Sequence, residues 1–153
     1  MKLPITPSFS LQGRRALVPG GSSGIGLGCA VALAEAGADV IISARRKEQL
    51  DNVVAAMREA GHSVEGISSD ITDIDATRAL VDTLRPLDVF VNSAGLARHS
   101  PAVETDPDDF DAVMAVNLRG AYFAAQAVAR AMIEDARRGS IVTISSQMAM
   151  VGG

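Results

Sequence analysis

The stretch PGGSSGIGLG, residues 19–28, limits what this 153-residue chain can fold into more than any other. It follows the short apolar run Arg15 to Pro19 and opens a helical stretch that runs from Ser23 through Ala36 to Gly37. Glycines at 20, 24 and 26 permit a tight turn and let the backbone approach a pyrophosphate. They also let a helix start close to a sheet with its first amides facing the anion. Leu27 stands where a P-loop would need Lys after the glycine. Gly20, Ser22, Ser23, Gly24, Ile25 and Gly26 are therefore candidate cofactor-binding residues, with a purely structural strand-to-helix turn as the alternative.

The rest of the chain supplies the setting such a loop requires. Short β-branched runs at 15–19, 40–44, 64–68, 87–92 and 140–145 read as strands. Between them lie helical stretches at 23–36, 47–60 and 74–84, and a longer one from Asp106, the first two ending at Gly37 and Gly61 where a left-handed cap is wanted. Strands alternating with helices over short loops build right-handed βαβ units and a doubly wound parallel sheet covered on both faces. Ligands of such sheets lie beyond the carboxyl ends of the strands.

At the end of the second strand, Ala44 is followed by Arg45, Arg46 and Lys47. A carboxylate at that place accepts from the ribose hydroxyls of NAD, whereas an Arg fork binds a 2′-phosphate through charge-assisted bonds. The expected cofactor is NADP, with NAD possible; a solvated basic helix start is the competing reading.

Composition excludes other classes. A net charge of −4 and 3% aromatic residues do not suit a nucleic-acid groove. No apolar run reaches the roughly 20 residues needed to span a bilayer, and Met1 to Ser10 carry no secretory or transit pattern. A cytoplasmic protein without nucleic-acid or membrane partners is expected. Cys29, the single cysteine, falls among apolar neighbours and reads as a core residue. Asp106, Pro107, Asp108 and Asp109 read as a helix cap and first turn rather than metal ligands, and His62 and His99 as loop residues, so no metal site is expected.

Taken together these features resemble the short-chain dehydrogenase/reductase family over nearly the whole chain. The resemblance implies a Rossmann-type sheet of at least five strands and a hydride transfer between alcohol and carbonyl. It makes residues 1–153 one NAD(P)-binding domain, incomplete at its C-terminus, without the family's last strands and helices. It implies that Asp70, with Ile71, contacts the adenine, and that Asn92, Ala94 and Gly95 of NSAG line the cofactor. Asn117 of NLRG falls on a helical stripe with Phe110, Val113, Met114, Ala121, Ala125, Val128 and Met132. From periodicity alone it is a core amide bonded to a neighbouring loop; the resemblance implies a role in a proton relay. Ser146 matches the catalytic Ser that bonds the substrate oxygen, or else closes a strand as a loop cap. Two departures stand out: Pro19 where the family has Thr, and Ser93 in place of a second Asn.

The family's acid is a Tyr followed four residues later by Lys. Here the one Tyr, Tyr122, is followed by Gln126, and the lysines are Lys2 and Lys47. The chain therefore looks like the N-terminal portion of a longer enzyme that acts on a small alcohol or carbonyl and is a homo-oligomer at full length. By itself it should be inactive, with its fifth strand an uncovered edge. The alternative is a non-catalytic module that senses a dinucleotide or assembles with a partner.

Overall fold

A computed structural model describes residues 8–151. Five parallel strands, β1 (Arg15–Pro19), β2 (Asp39–Ala44), β3 (Val64–Ser68), β4 (Val89–Asn92) and β5 (Ser140–Thr143), form one sheet in the order β3-β2-β1-β4-β5. The order reverses between β1 and β4, so a crevice opens above their carboxyl ends. This is the expected Rossmann-type α/β architecture.

Alternation along the strands distributes the core to both faces. Ala16, Val18, Val40 and Ile42 pack beneath α1 (Gly24–Glu35) and α2 (Lys47–Glu59). Leu17, Ile41 and Phe90 pack on the opposite face with Val81 of α3 (Ile74–Leu84) and Val128 of α5 (Ala121–Glu134). Because both faces are covered, the central strands read as continuous apolar runs rather than an alternating pattern. Cys29 is partly buried against the first of these clusters.

Gly37 and Gly61 adopt φ of 97° and 87° just past α1 and α2, where the glycine-ended patterns placed the stops. Helix α4 (Pro107–Met114) starts as its sequence dictates. Asp106 accepts from the Asp108 N–H at 2.8 Å, Pro107 occupies the first turn, and Asp108 and Asp109 lie at the positive end of the dipole.

The long fourth helix departs from a simple amphipathic rod. Between α4 and α5 the backbone winds as a π-helix over Ala115–Gly120. The periodicity of the apolar stripe is broken there: Ala121, Val128 and Met132 are buried, whereas Phe110 is 56% exposed. Asn117, expected among them in the core, is exposed instead. The extra residue in the turn rotates it off the buried face. At the end of the turn, a Cβ on Gly120 would stand 2.8 Å from the Ile71 carbonyl oxygen, so glycine lets this helix press against the loop that follows β3.

β5 is an edge strand exposed along its length, with Ile141 and Val142 at 41% and 46%. Among the described residues it is the end strand of the sheet, next to β4. Among the described residues no helix is long and apolar enough to cross a membrane.

At the opposite pole from the crevice, Asp88 is 4% exposed and ties three segments together. It accepts from the Arg14 guanidinium at 2.8 Å, the Arg15 backbone N–H at 3.0 Å and the Arg137 guanidinium at 3.3 Å. Burial works to raise its pKa, but the Arg15 N–H and the two guanidinium groups outweigh it and hold the carboxyl below its ordinary value.

Candidate functional site

The crevice is a cleft of about 540 Å³ at the carboxyl ends of β1, β2 and β4. Its wall includes Gly20 and Ser22 from the glycine loop, Arg45 beyond β2, Asp70 and Ile71 beyond β3, and the Ala94–Gly95 turn beyond β4. Seven of the residues singled out in the sequence are thus brought to one cavity.

The glycine loop is held against its neighbours by backbone alone. Gly20 has φ 76°, and a Cβ there would stand 2.6 Å from the backbone of Ser93 and Ala94. Its N–H donates to the Ser43 carbonyl at 2.8 Å, and the Pro19 carbonyl accepts from the Ser93 N–H at 3.0 Å. Pro19 therefore fits: it ends the strand, and the tie to the next turn uses its carbonyl rather than the amide hydrogen it lacks. Gly26 packs directly beneath the Gly20 carbonyl, with the Ser93 hydroxyl beside it. Ser93 thus fills the space that a larger side chain at either position would need.

Gly24 differs from these two. It has φ 54°, and a Cβ added there would meet nothing within 4 Å among the described residues. Ser23, the N-cap of α1, makes no side-chain capping bond, and no acidic residue lies in the first turn. An open approach, amides without a cap and no competing carboxylate are what an anion needs at a helix start. A pyrophosphate fits this cradle. Ile25 is 65% exposed at the first turn.

Around the rest of the cleft, Asp70 and Asn92 are oriented by local bonds. Asp70 Oδ1 accepts from the Thr72 N–H at 2.9 Å and the Thr72 hydroxyl at 2.8 Å. Among the described residues its Oδ2 makes no hydrogen bond, so one carboxylate oxygen stays free to accept from an amine. Asn92 is 2% exposed and its Oδ1 accepts from the Ala94 N–H at 3.2 Å, shaping the NSAG turn from below. Arg45 and Arg46 both line the cleft and form no ion pair among the described residues, whereas Lys47 is bound to Asp51 at 2.8 Å. The two guanidinium groups are available to a phosphate; the ammonium is engaged. Arg46 thus joins Arg45 at the cleft, where the Arg-Arg-Lys run after β2 places it.

The two residues assigned to chemistry lie outside the cleft wall. The Asn117 amide grips the backbone of Leu96, accepting from its N–H at 2.8 Å and donating to its carbonyl at 2.7 Å. This is the loop bond that periodicity suggested, made from an exposed position. Ser146 Oγ accepts from the Met148 N–H at 3.1 Å and caps a 3₁₀ turn, Gln147–Ala149. Its own O–H is still free to donate. Its strand is tied to the cleft-lining one, because the Ile144 N–H donates to the Asn92 carbonyl at 2.9 Å.

Comparison with known proteins gives matches over nearly the whole chain. The family profile described as short chain dehydrogenase matches residues 14–153. Gluconate 5-dehydrogenase of Gluconobacter oxydans is 40% identical over 142 residues, covering 90% of this chain and 55% of the relative. L-xylulose reductase of Mesocricetus auratus is 39% identical over 139 residues, covering 91% and 55%. The crystal structure of a gluconate 5-dehydrogenase from Burkholderia cenocepacia, in complex with NADP and tartrate, superposes with a TM-score of 0.87 at 38% identity, covering 95% of this chain and 58% of that one. The chain thus spans between half and three-fifths of the length of these relatives.

Proposed function

The chain belongs to the short-chain dehydrogenase family, and on that premise we propose that it is the dinucleotide-binding domain of an NADP(H)-dependent oxidoreductase. The reaction is the interconversion of an alcohol and a carbonyl by hydride transfer. The observation that carries the cofactor choice is the pair Arg45 and Arg46, which have no ion-pair partner among the described residues and line the cleft wall where NAD-dependent sheets present a carboxylate. The solved relative that holds NADP supports the same choice.

In this reading the α1 amides and Gly20, Ser22, Ser23, Gly24, Ile25 and Gly26 hold the pyrophosphate. Arg45 holds the 2′-phosphate. Asp70 Oδ2 accepts from the adenine amine, with Ile71 beside the ring, and Asn92, Ala94 and Gly95 form the turn against which the cofactor lies. NADPH, when bound, supplies the hydride. Ser146 donates its O–H to the substrate oxygen, and Asn117 keeps the Leu96 loop in place beside it and supports the proton relay. The names of the relatives, which refer to gluconate and L-xylulose, make small polyhydroxylated compounds the first substrates to test. The setting is cytoplasmic. Phe110, Met114, Leu118 and Tyr122, all 37–60% exposed along the α4–α5 rod, support self-association of the whole enzyme.

No Tyr-x-x-x-Lys occurs in the 153 residues. That single fact favours a second reading, a dinucleotide-binding module without chemistry. The deciding experiment follows NADPH consumption with a panel of ketoses and keto acids, comparing residues 1–153 with the product of any downstream coding sequence that supplies the pair. A positioned general acid contributes about 10²–10⁴-fold, so the short chain should be silent and the extended one active. Dinucleotide binding with silence from both would favour the module. Turnover by the short chain, lost on Ser146→Ala, would show that another residue supplies the proton.

A further inference from the structure

The wall of the cleft facing α3 is apolar, built from Leu17, Leu80, Val81 and Phe90, with two hydroxyls set in it. Ser43 stands two residues after Ile41 on β2 and so faces the same side of the sheet. Thr77 stands four residues before Val81 on α3 and so shares its buried face. Both are more than nine-tenths buried, at 6% and 7% exposure, and neither hydroxyl has a hydrogen-bond partner among the described residues. A buried hydroxyl without a partner is unfavourable, so each calls for an explanation.

The two are not equivalent. Thr77 Oγ1 is sealed from any approaching atom, whereas the Ser43 hydroxyl is not. Ser43 also holds the glycine loop, since its carbonyl accepts from the Gly20 N–H at 2.8 Å. Its residue thus sits between the loop that takes the pyrophosphate and the cleft wall that carries Asp70 and Arg45. An adenine-bearing ligand lying there offers ring nitrogens that accept hydrogen bonds and a flat apolar face suited to the surrounding side chains.

We propose that Ser43 is a further cofactor-binding residue, whose O–H donates to a ring nitrogen of the purine, while the Thr77 hydroxyl is a buried defect with no part in binding. The proposal rests on the cofactor reading above. It gives the adenosine end of the dinucleotide a contact from the sheet itself, in addition to those from the loops.

Calorimetric titration of the chain with NADPH, 2′-phospho-ADP-ribose and nicotinamide mononucleotide tests it. Ser43→Ala should weaken the two purine-bearing probes by about the same factor, roughly 5–10-fold for one lost hydrogen bond, and leave the mononucleotide unchanged. Ser43→Cys, which keeps the volume with only a weak donor, should do the same if Ala loosens the wall. Thr77→Val should bind both probes as the parent does and melt at a higher temperature. Parent-like NADPH binding by the folded Ser43 variants would overturn the proposal and leave the cofactor reading standing, as would an equal loss in Thr77→Val, which would mark a packing effect. Failure of the parent to bind any dinucleotide would overturn the cofactor reading and this proposal with it.

Discussion

Asn117 holds Leu96 by both ends of its amide, taking the N–H at 2.8 Å and giving to the carbonyl at 2.7 Å. The pairing mimics one rung of a β-ladder, made by a side chain. It fixes the segment leaving the NSAG turn to the π-helical stretch of Ala115–Gly120, and the same stretch ends at Gly120 against the Ile71 carbonyl. One irregular turn of helix therefore holds two of the loops that frame the cleft.

Replacing the amide should free one of those loops. In Asn117→Ala the Leu96 groups are exposed enough for water to replace the lost bonds, so the stability cost is small, about 1 kcal/mol. The local effect is larger: the Leu96 amide should exchange its hydrogen faster than in the parent while core amides in β1 keep their protection. Unchanged exchange at Leu96 would show that the loop is held by something else.

Arg45 and Arg46 give the cofactor prediction. Arg45→Asp places a carboxylate where a 2′-phosphate would lie. A charge-assisted hydrogen bond is worth about 1.5–3 kcal/mol, so NADPH should weaken by roughly 10–100-fold. NADH should be unaffected or improved. Fluorescence titration with both cofactors checks this, and equal weakening of the two would remove Arg45 from the 2′-phosphate site.

Much of this was legible in the sequence, for identifiable reasons. The sheet and its cleft follow from β-branched runs, glycine stops and the spacing of the loop, which are local signals with steric causes. The cleft-lining residues followed because loops after parallel strands converge at one end of the sheet. The position of Asn117 did not follow, because a π-turn shifts the helical phase by one residue and leaves no compositional mark. Asp88 was equally hidden. Its partners Arg14 and Arg137 lie 74 and 49 residues away, and only the tertiary fold brings such charges together. Ser43 and Thr77 read as ordinary members of a strand and a helix until the cavity between them was in view.

Gly24 and Gly20 should fail differently on substitution. A Cβ on Gly20 collides with backbone 2.6 Å away, while one on Gly24 enters open space at φ 54°. Gly24→Val should therefore fold with a penalty of about 1–2 kcal/mol for the left-handed backbone and lose dinucleotide binding, because the side chain occupies the anion's approach. Gly20→Val should not yield a stable protein. Melting curves and NADPH titration of the two variants check the contrast. Parent-like binding by a folded Gly24→Val would reduce the loop to a structural turn.

The last prediction concerns the pole opposite the cleft, where Asp88 anchors β1, β4 and the approach to β5 through Arg14, the Arg15 N–H and Arg137. Its folded pKa is held below the ordinary carboxylate value against the effect of burial, so the charged form is favoured in the folded chain. The stability it contributes is fully present above the unfolded pKa of about 4 and is lost as pH falls through the lower folded value. Asp88→Asn keeps an acceptor for the Arg15 N–H but removes the charge, and should cost about 2 kcal/mol at neutral pH. A protonated Asp88 resembles Asn, so the stability curves of parent and variant should converge below about pH 4. Asp135, also held low by its hydrogen bond to Arg85, loses stability in the same direction but is present in both proteins and cancels in the difference. Urea unfolding across pH 3–8 measures that difference. A gap that stayed constant with pH would mean that the Asp88 carboxyl acts through its shape and hydrogen bonds rather than its charge.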